Sequence, residues 1–407
     1  GGHHGVVSVL PGPADRRDQS GMRETGAAPG ACSDDGDAFQ GRGSFGGVGG
    51  VSYQVLQRVT GRREVRRVDL PVVAFGPKAT MMSTGEGNYM IYTDLGLYLR
   101  GSSAHSAYRR DQLTNIWIPF TPATVTVSNT RFWATDTDGR VWRSGYWNSC
   151  EKTDFEEMVF ETPIQRMFID TFRSYHFTAL AENGDIYVMG DNYDGQLGLG
   201  DYENRESFVK VPDIPKVKWV MNGYIQSAFI TEDGCVYVSG SNSYGTQGII
   251  GLGSTEKVHT FQEIVLWKNV GMAMKQFAVH GVMEWGGLYI VTEAGDLHTC
   301  GYGNLSVQIV PDISGLVQVA CAYDFVLVLK QNGSVWGAPI LEDRPITGTD
   351  FYPLGITDIV EICGDGNGYA MLRSSSGQVT FYSSWSGSLI PAEYLPIGED
   401  CCTVTPH

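Results

Sequence analysis

The chain has 407 residues, a formal net charge of −16 and 52 glycines. That charge repels a polyphosphate backbone at long range, so DNA is not an expected partner. No apolar run approaches the ~20 residues of a membrane span, and the eight cysteines include no CxxC pair, so no membrane segment, disulfide framework or zinc site is expected.

Taken in chain order, residues 1–50 are rich in Gly, Pro, Ser, Asp and Arg, poor in large apolar residues, and expected to be disordered. Residues 1–70 hold nine arginines against eight acidic residues, so the negative charge sits in the body that follows. Residues 51–70 contain the strand-like YQVLQRV (53–59) and the basic cluster RREVRR (62–67). We expect this segment to be an added strand that closes a ring with the last structural unit. The basic cluster reads as a solvated strand or linker, with a nuclear-import or nucleic-acid role as the alternative.

After residue 70 one pattern recurs seven times. A tight turn is followed by a short alternating strand: TDLGLYLRG (93–101), TDGRVWRSG (137–145), ENGDIYVMG (182–190), EDGCVYVSG (232–240), EAGDLHTCG (293–301), QNGSVWGAP (331–339) and SSGQVTFYS (375–383). The turn anchors are Leu95, Gly139, Gly184, Gly234, Gly295, Gly333 and Gly377, spaced 47 residues apart on average. Apolar strands such as HFTALA (176–181) precede the turns, preceded in turn by strands such as IQRMFI (164–169). The Asn-Gly and Asp-Gly turns predict two-residue hairpins. A fourth strand, such as FVKVP (208–212), follows a Gly-rich loop. Each unit is therefore four antiparallel strands with two apolar faces, which only neighbouring units can cover. The fold class is all-β: a seven-bladed β-propeller of four-stranded antiparallel blades spanning 51–407.

Copy three, HFTALAENGDIYVM followed by GDNYDGQLGLGD (176–201), resembles the repeat of the regulator of chromosome condensation (RCC1-like) family. Copy four, GSNSYGTQGIIGLG (240–253), keeps the same tail, and the register of all seven copies extends the resemblance over about 72–400. The resemblance implies a seven-bladed propeller, serving as an interaction module or as a guanine-nucleotide exchange factor for a Ran-like small GTPase. Some family members belong to ubiquitin-ligase assemblies, and a substrate-adaptor role is a further alternative. In the exchange factor, acidic and His residues before the second strand face the GTPase. That His position maps to Gly87, Arg131, His176, Gln226, Gly287, Phe325 and Tyr369; copy three keeps His, and copy six has Asp324 in the position before. Segments 102–118, 249–262 and 338–352 are candidates for the wedge such exchange needs.

No nucleophile elbow, phosphate loop or metal-ligand spacing appears, so no catalytic residue, cofactor or metal is expected. DNYDG (191–195) has the wrong acidic spacing for calcium. Aromatic and polar residues gather instead near the loops between first and second strands: Tyr175, His176, Tyr224, Gln226, Trp285, Tyr323, Asp324 and Tyr369. In a propeller those loops converge on one face, and this set is the candidate protein-binding surface. Tyr98, Trp142, Tyr187, Tyr237 and Trp336 share one strand position and are expected in the core. The expected protein is a cytoplasmic or nuclear monomer that acts on another protein, with a small GTPase as the named possibility, and not an enzyme in the covalent sense.

Overall fold

The computed structural model describes residues 50–59, 62–71, 77–85, 87–101, 113–116, 118–127, 132–144, 155–169, 176–242, 250–269, 272–284, 287–301, 304–341, 344–364, 368–392 and 394–395. The expected disorder of 1–50 falls, but for Gly50, outside them.

Two units are present, 1–73 and 74–407. In the first, Gly50–Val59 and Arg62–Pro71 pair antiparallel with each other along their whole length. Their sheet has two strands. Tyr394–Leu395 pairs parallel with Leu113–Ile116 as the fifth strand of blade one.

The second unit is the seven-bladed propeller. The inner strands of blades one to seven are Ala79–Gly85, Pro122–Val127, Ile164–Ile169, Val217–Asn222, Ala278–Glu284, Leu316–Ala322 and Ile359–Gly364. Each pairs antiparallel with a second strand that is apolar on both faces, as HFTALA in His176–Ala181, buried at all six positions. Second strands need that composition because a neighbouring blade covers each side. Seven apolar clusters result, one at each blade-to-blade contact. Between blades three and four, for example, Leu180, Ile186 and Val188 meet Val217, Val220 and Phe229. Between seven and one, Met371 and Phe381 meet Tyr89, Ile91 and Tyr98, and this contact closes the circle. Of the shared strand position, Tyr98 and Tyr187 are buried, while Trp142, Tyr237 and Trp336 are half-buried at blade contacts.

The repeat's anchor glycines have two tasks. Gly139, Gly184, Gly234, Gly295, Gly333 and Gly377 all adopt φ between 77° and 85°. The residue before each does not share that conformation, so the turn differs from the expected two-residue hairpin. The Gly184 amide donates to the Ala181 carbonyl, and the Ala181 amide to the Asp185 carbonyl. This is a three-residue loop, a type I turn completed by a left-handed glycine. The glycine carbonyl then accepts the first amide of the next blade's inner strand: Ile164 to Gly139 (2.8 Å), Val217 to Gly184 (2.8 Å), Ala278 to Gly234 (2.8 Å), Leu316 to Gly295 (3.0 Å) and Ile359 to Gly333 (3.0 Å). Ala79 to Gly377 (2.8 Å) joins the last blade to the first.

Each inner strand carries a bulge near its start. The residue after it holds one level of the ring: Met81, Thr124, Arg166, Trp219, His280, Gln318 and Glu361. Among the described residues no helix is long and apolar enough to cross a membrane.

Candidate protein-binding face

Strand polarity gives the propeller two distinct ends. Inner and third strands run toward one end, where they turn into the second and outer strands; the anchor-glycine turns lie at the other end. The first is called the loop face here and the second the turn face.

The Gly-rich tail of blade three is built for close approach. Asn192 is fully buried; its Nδ2 donates to the Asp201 carbonyl (3.0 Å) and its Oδ1 accepts the Leu197 amide (2.9 Å). Asn242 repeats this in blade four, donating to the Ser254 carbonyl (2.7 Å) and accepting the Ile250 amide (3.1 Å). So pinned, each loop lies flat on the next blade's outer strand. Leu199 bridges to Thr260 and Leu252 to Ser306. A Cβ on Gly198 would fall 2.3 Å from the Phe261 ring, and one on Gly251 2.4 Å from Val307. The glycines of this motif clamp blades together. The candidate wedge at 249–262 is this clamp together with the outer strand Val258–Ile264; most of 102–118 lies outside the described residues.

The loop face presents aromatic side chains. Tyr224 sits at the turn closed by the Gly223 amide on the Gln226 carbonyl, and is 42% exposed. Tyr323 and Asp324 form the two-residue turn of blade six, and both are exposed. Tyr323 has φ 56°, an uncommon conformation for a residue with a Cβ, and its side chain is 52% exposed. The Asp324 carboxylate accepts the Ser384 hydroxyl at 3.4 Å. Tyr369 is half-buried, its ring edge-on to Trp385 at 5.6 Å, and Trp385 is 62% exposed. On the blade-three clamp Tyr193 and Tyr202 are exposed as well. Lys257 lies 4.7 Å above the Tyr202 ring and donates to the Tyr193 carbonyl.

Tyr224, Tyr323, Asp324 and Tyr369 thus share the face expected from the sequence. His176 and Gln226 do not reach its surface. His176 is fully buried, its Nε2 2.9 Å from the Ser227 hydroxyl, and burial pushes its pKa down to about 4. Gln226 is buried, and its side-chain carbonyl accepts the Ile225 amide. Tyr175 and Trp285 lie outside the described residues. Trp385, Tyr193 and Tyr202 were not expected. They lie after third strands rather than after inner ones, and in a propeller both sets of loops open on the same end.

A second apolar surface lies at the turn face. Trp267–Asn269 and Met272–Lys275 pair as a hairpin between the outer strand of blade four and the inner strand of blade five. Trp267, Met274 and Phe277 are exposed there. The Gln276 amide donates to the Leu266 carbonyl, and His298 Nε2 lies 3.2 Å from the Trp267 carbonyl. The only trace of this insertion in the sequence is the step of 61 residues from Gly234 to Gly295. Leu95 and Val159 are exposed at other turn-face connections, beside polar groups. Asp185 accepts from Lys210 and Lys216 at 2.7 and 2.8 Å, which holds its carboxyl down to about 2. Among the described residues no group of three or more His, Cys, Asp or Glu could hold a metal ion.

Comparison with known proteins agrees with this geometry. Residues 174–196 match the family model of the regulator of chromosome condensation (RCC1) repeat. The chain is 37% identical over 98 residues to the human X-linked retinitis pigmentosa GTPase regulator, a match covering 23% of this chain and 9% of that protein. It is 30% identical over 171 residues to the secretion-regulating guanine nucleotide exchange factor of Bos taurus, covering 37% of this chain and 35% of that protein. Both matches span about a third or less of these relatives. In three dimensions it resembles Prp20p of Saccharomyces cerevisiae, a protein studied for its binding to Gsp1p and histones. That likeness has a TM-score of 0.56 at 14% identity and covers 70% of this chain and 79% of that one. This chain carries the RCC1 repeat and folds as an RCC1-type propeller.

Proposed function

We propose that this propeller binds another protein through its loop face, and that the partner is a small GTPase whose bound guanine nucleotide it helps to release. The observation that carries the binding reading is the set of exposed aromatics on one rigid face: Tyr224, Tyr323 and Trp385, bordered by Asp324. Large exposed aromatics on a fixed scaffold are the residues from which binding hot spots are made. The similarities to a GTPase regulator, a guanine nucleotide exchange factor and a Gsp1p-binding protein favour exchange over a scaffold of no particular partner. Exchange needs no covalent chemistry. Binding energy is spent on a GTPase conformation with weakened hold on nucleotide, so a rigid face is sufficient equipment. The protein acts in the cytoplasm or nucleus under this reading.

The test is a release assay. A Ran-type GTPase is loaded with fluorescent GDP and mixed with the full chain and excess unlabelled GTP. The expected result is nucleotide release accelerated by at least about tenfold, the effect of roughly 1.4 kcal/mol of preferential binding to the weak-holding state. Stable binding without acceleration would leave a platform and remove the exchange reading.

A further inference from the structure

The inner strands enclose an axial channel of about 300 Å³, the lower end of the range in which small-molecule pockets fall. Five residues of the level set by the strand bulges line it: Arg166, Trp219, His280, Gln318 and Glu361. Four have partners. Trp219 Nε1 donates to the Gly281 carbonyl at 3.1 Å. The Val319 amide donates to His280 Nδ1 at 3.4 Å, and the Ile362 amide to Gln318 Oε1 at 3.1 Å. Glu361 accepts Arg373 Nε at 2.8 Å.

Arg166 is the exception. Its guanidinium lies 5.4 Å from the Trp219 ring centre and 5.9 Å from that of Phe168. Among the described residues it has neither a hydrogen bond nor an ion pair. Stacking occupies the faces of a guanidinium and leaves its N–H edge free. Two positions further along the strands the channel wall turns apolar, with Phe168, Met221, Val282 and Ala320. The channel therefore combines an unneutralised cation with a greasy wall. Burial, with the Arg166 charge adding to it, keeps His280 neutral, with its pKa pushed down to about 4.

We propose that the axial channel is a binding site for a small organic monocarboxylate, its carboxylate on the Arg166 edge and its hydrocarbon body against the apolar level. A fork of guanidinium donors matches a carboxylate in two parallel hydrogen bonds. A single negative charge is specified because Glu361 lines the same level, and a dianion such as phosphate would be repelled by it. This site is independent of the loop face, and its failure leaves the partner reading untouched.

The test is calorimetric titration of the full chain with hexanoate, benzoate, hexan-1-ol and inorganic phosphate. Hexanoate is expected to bind saturably at one site. Hexan-1-ol, of the same length as hexanoate without the charge, should bind at least about tenfold more weakly, as should hexanoate to an Arg166→Gln variant, the cost of a lost charge-assisted hydrogen bond. The comparison of acid with alcohol uses the unaltered chain, so it stands if the variant does not fold. Three results would overturn the proposal: no saturable hexanoate binding, equal affinity for hexanoate and hexan-1-ol, or phosphate bound more tightly than either carboxylate.

Discussion

Single residues in this protein divide into those that make the ring and those that face outward, and the sequence does not separate them by type. His176 is the instructive case. The family resemblance places it among residues that face a partner, yet it is fully buried against Ser227 at a blade contact. Its burial has a measurable consequence. An unfolded histidine titrates near 6.5, and in the fold His176 titrates at about 4. Between those values the unfolded chain carries a proton that the folded chain refuses. Stability on this account is full above about pH 6.5, falls as pH drops toward 4, and levels off below. Thermal melts between pH 7.5 and 4 should show the fall. A His176→Gln variant should show a slope shallower by about one proton, on the order of 1.4 kcal/mol per pH unit. Equal slopes in the two proteins would place the histidine in contact with solvent.

At the scale of the element, what was legible is what chain geometry forces. The anchor glycines stand out because a left-handed turn residue and the close approach of the next blade exclude a Cβ at the same atom. A side chain on Gly184 would come within 3.0 Å of Lys216, and one on Gly139 within 2.5 Å of Pro163. The Gly-rich clamp is legible in copies three and four, where the loop lies on a neighbouring outer strand. The other copies lack that Gly-rich tail in the sequence, and they fade. The clamp can be tested by paired substitutions. Gly198 and Gly200 both have positive φ, at 66° and 87°, but a Cβ at Gly198 meets Phe261 whereas one at Gly200 finds nothing nearer than 3.9 Å. Gly200→Ala should cost only the backbone term, about 1 kcal/mol. Gly198→Ala should cost about 1–3 kcal/mol more for overpacking against the ring. Urea denaturation of the two variants measures the difference, and equal losses would mean that the clamp is not tight. Strand pairing was less legible. The alternating residues of 51–70 invite a closing role and pair with one another, and a strand added to blade one is the two residues Tyr394–Leu395. Two residues are too few to leave a periodic signal.

Across the whole molecule, seven contacts of similar chemistry form a circle. Each joins blades by an apolar cluster, and six by an anchor-glycine hydrogen bond as well. A ring closed in this way keeps its end loops in fixed relation, which is what an interaction face requires. The candidate face was partly legible, because strand order alone puts the loops after inner strands together. Tyr224, Tyr323, Asp324 and Tyr369 follow from that. Trp385 was missed because its loop follows a third strand, and only the registers show that it opens on the same end. The apolar hairpin at Trp267 left no mark beyond an unusually long repeat.

The most direct test is the affinity of a nucleotide-free Ran-type GTPase for the full chain, measured by interferometry beside a variant carrying Tyr224→Ala, Tyr323→Ala and Trp385→Ala. All three side chains are exposed, so the variant should melt within a few degrees of the unaltered protein. The account predicts that the variant binds at least about a hundredfold more weakly, as the loss of hot-spot aromatics implies. Equal affinities for the two proteins would contradict it.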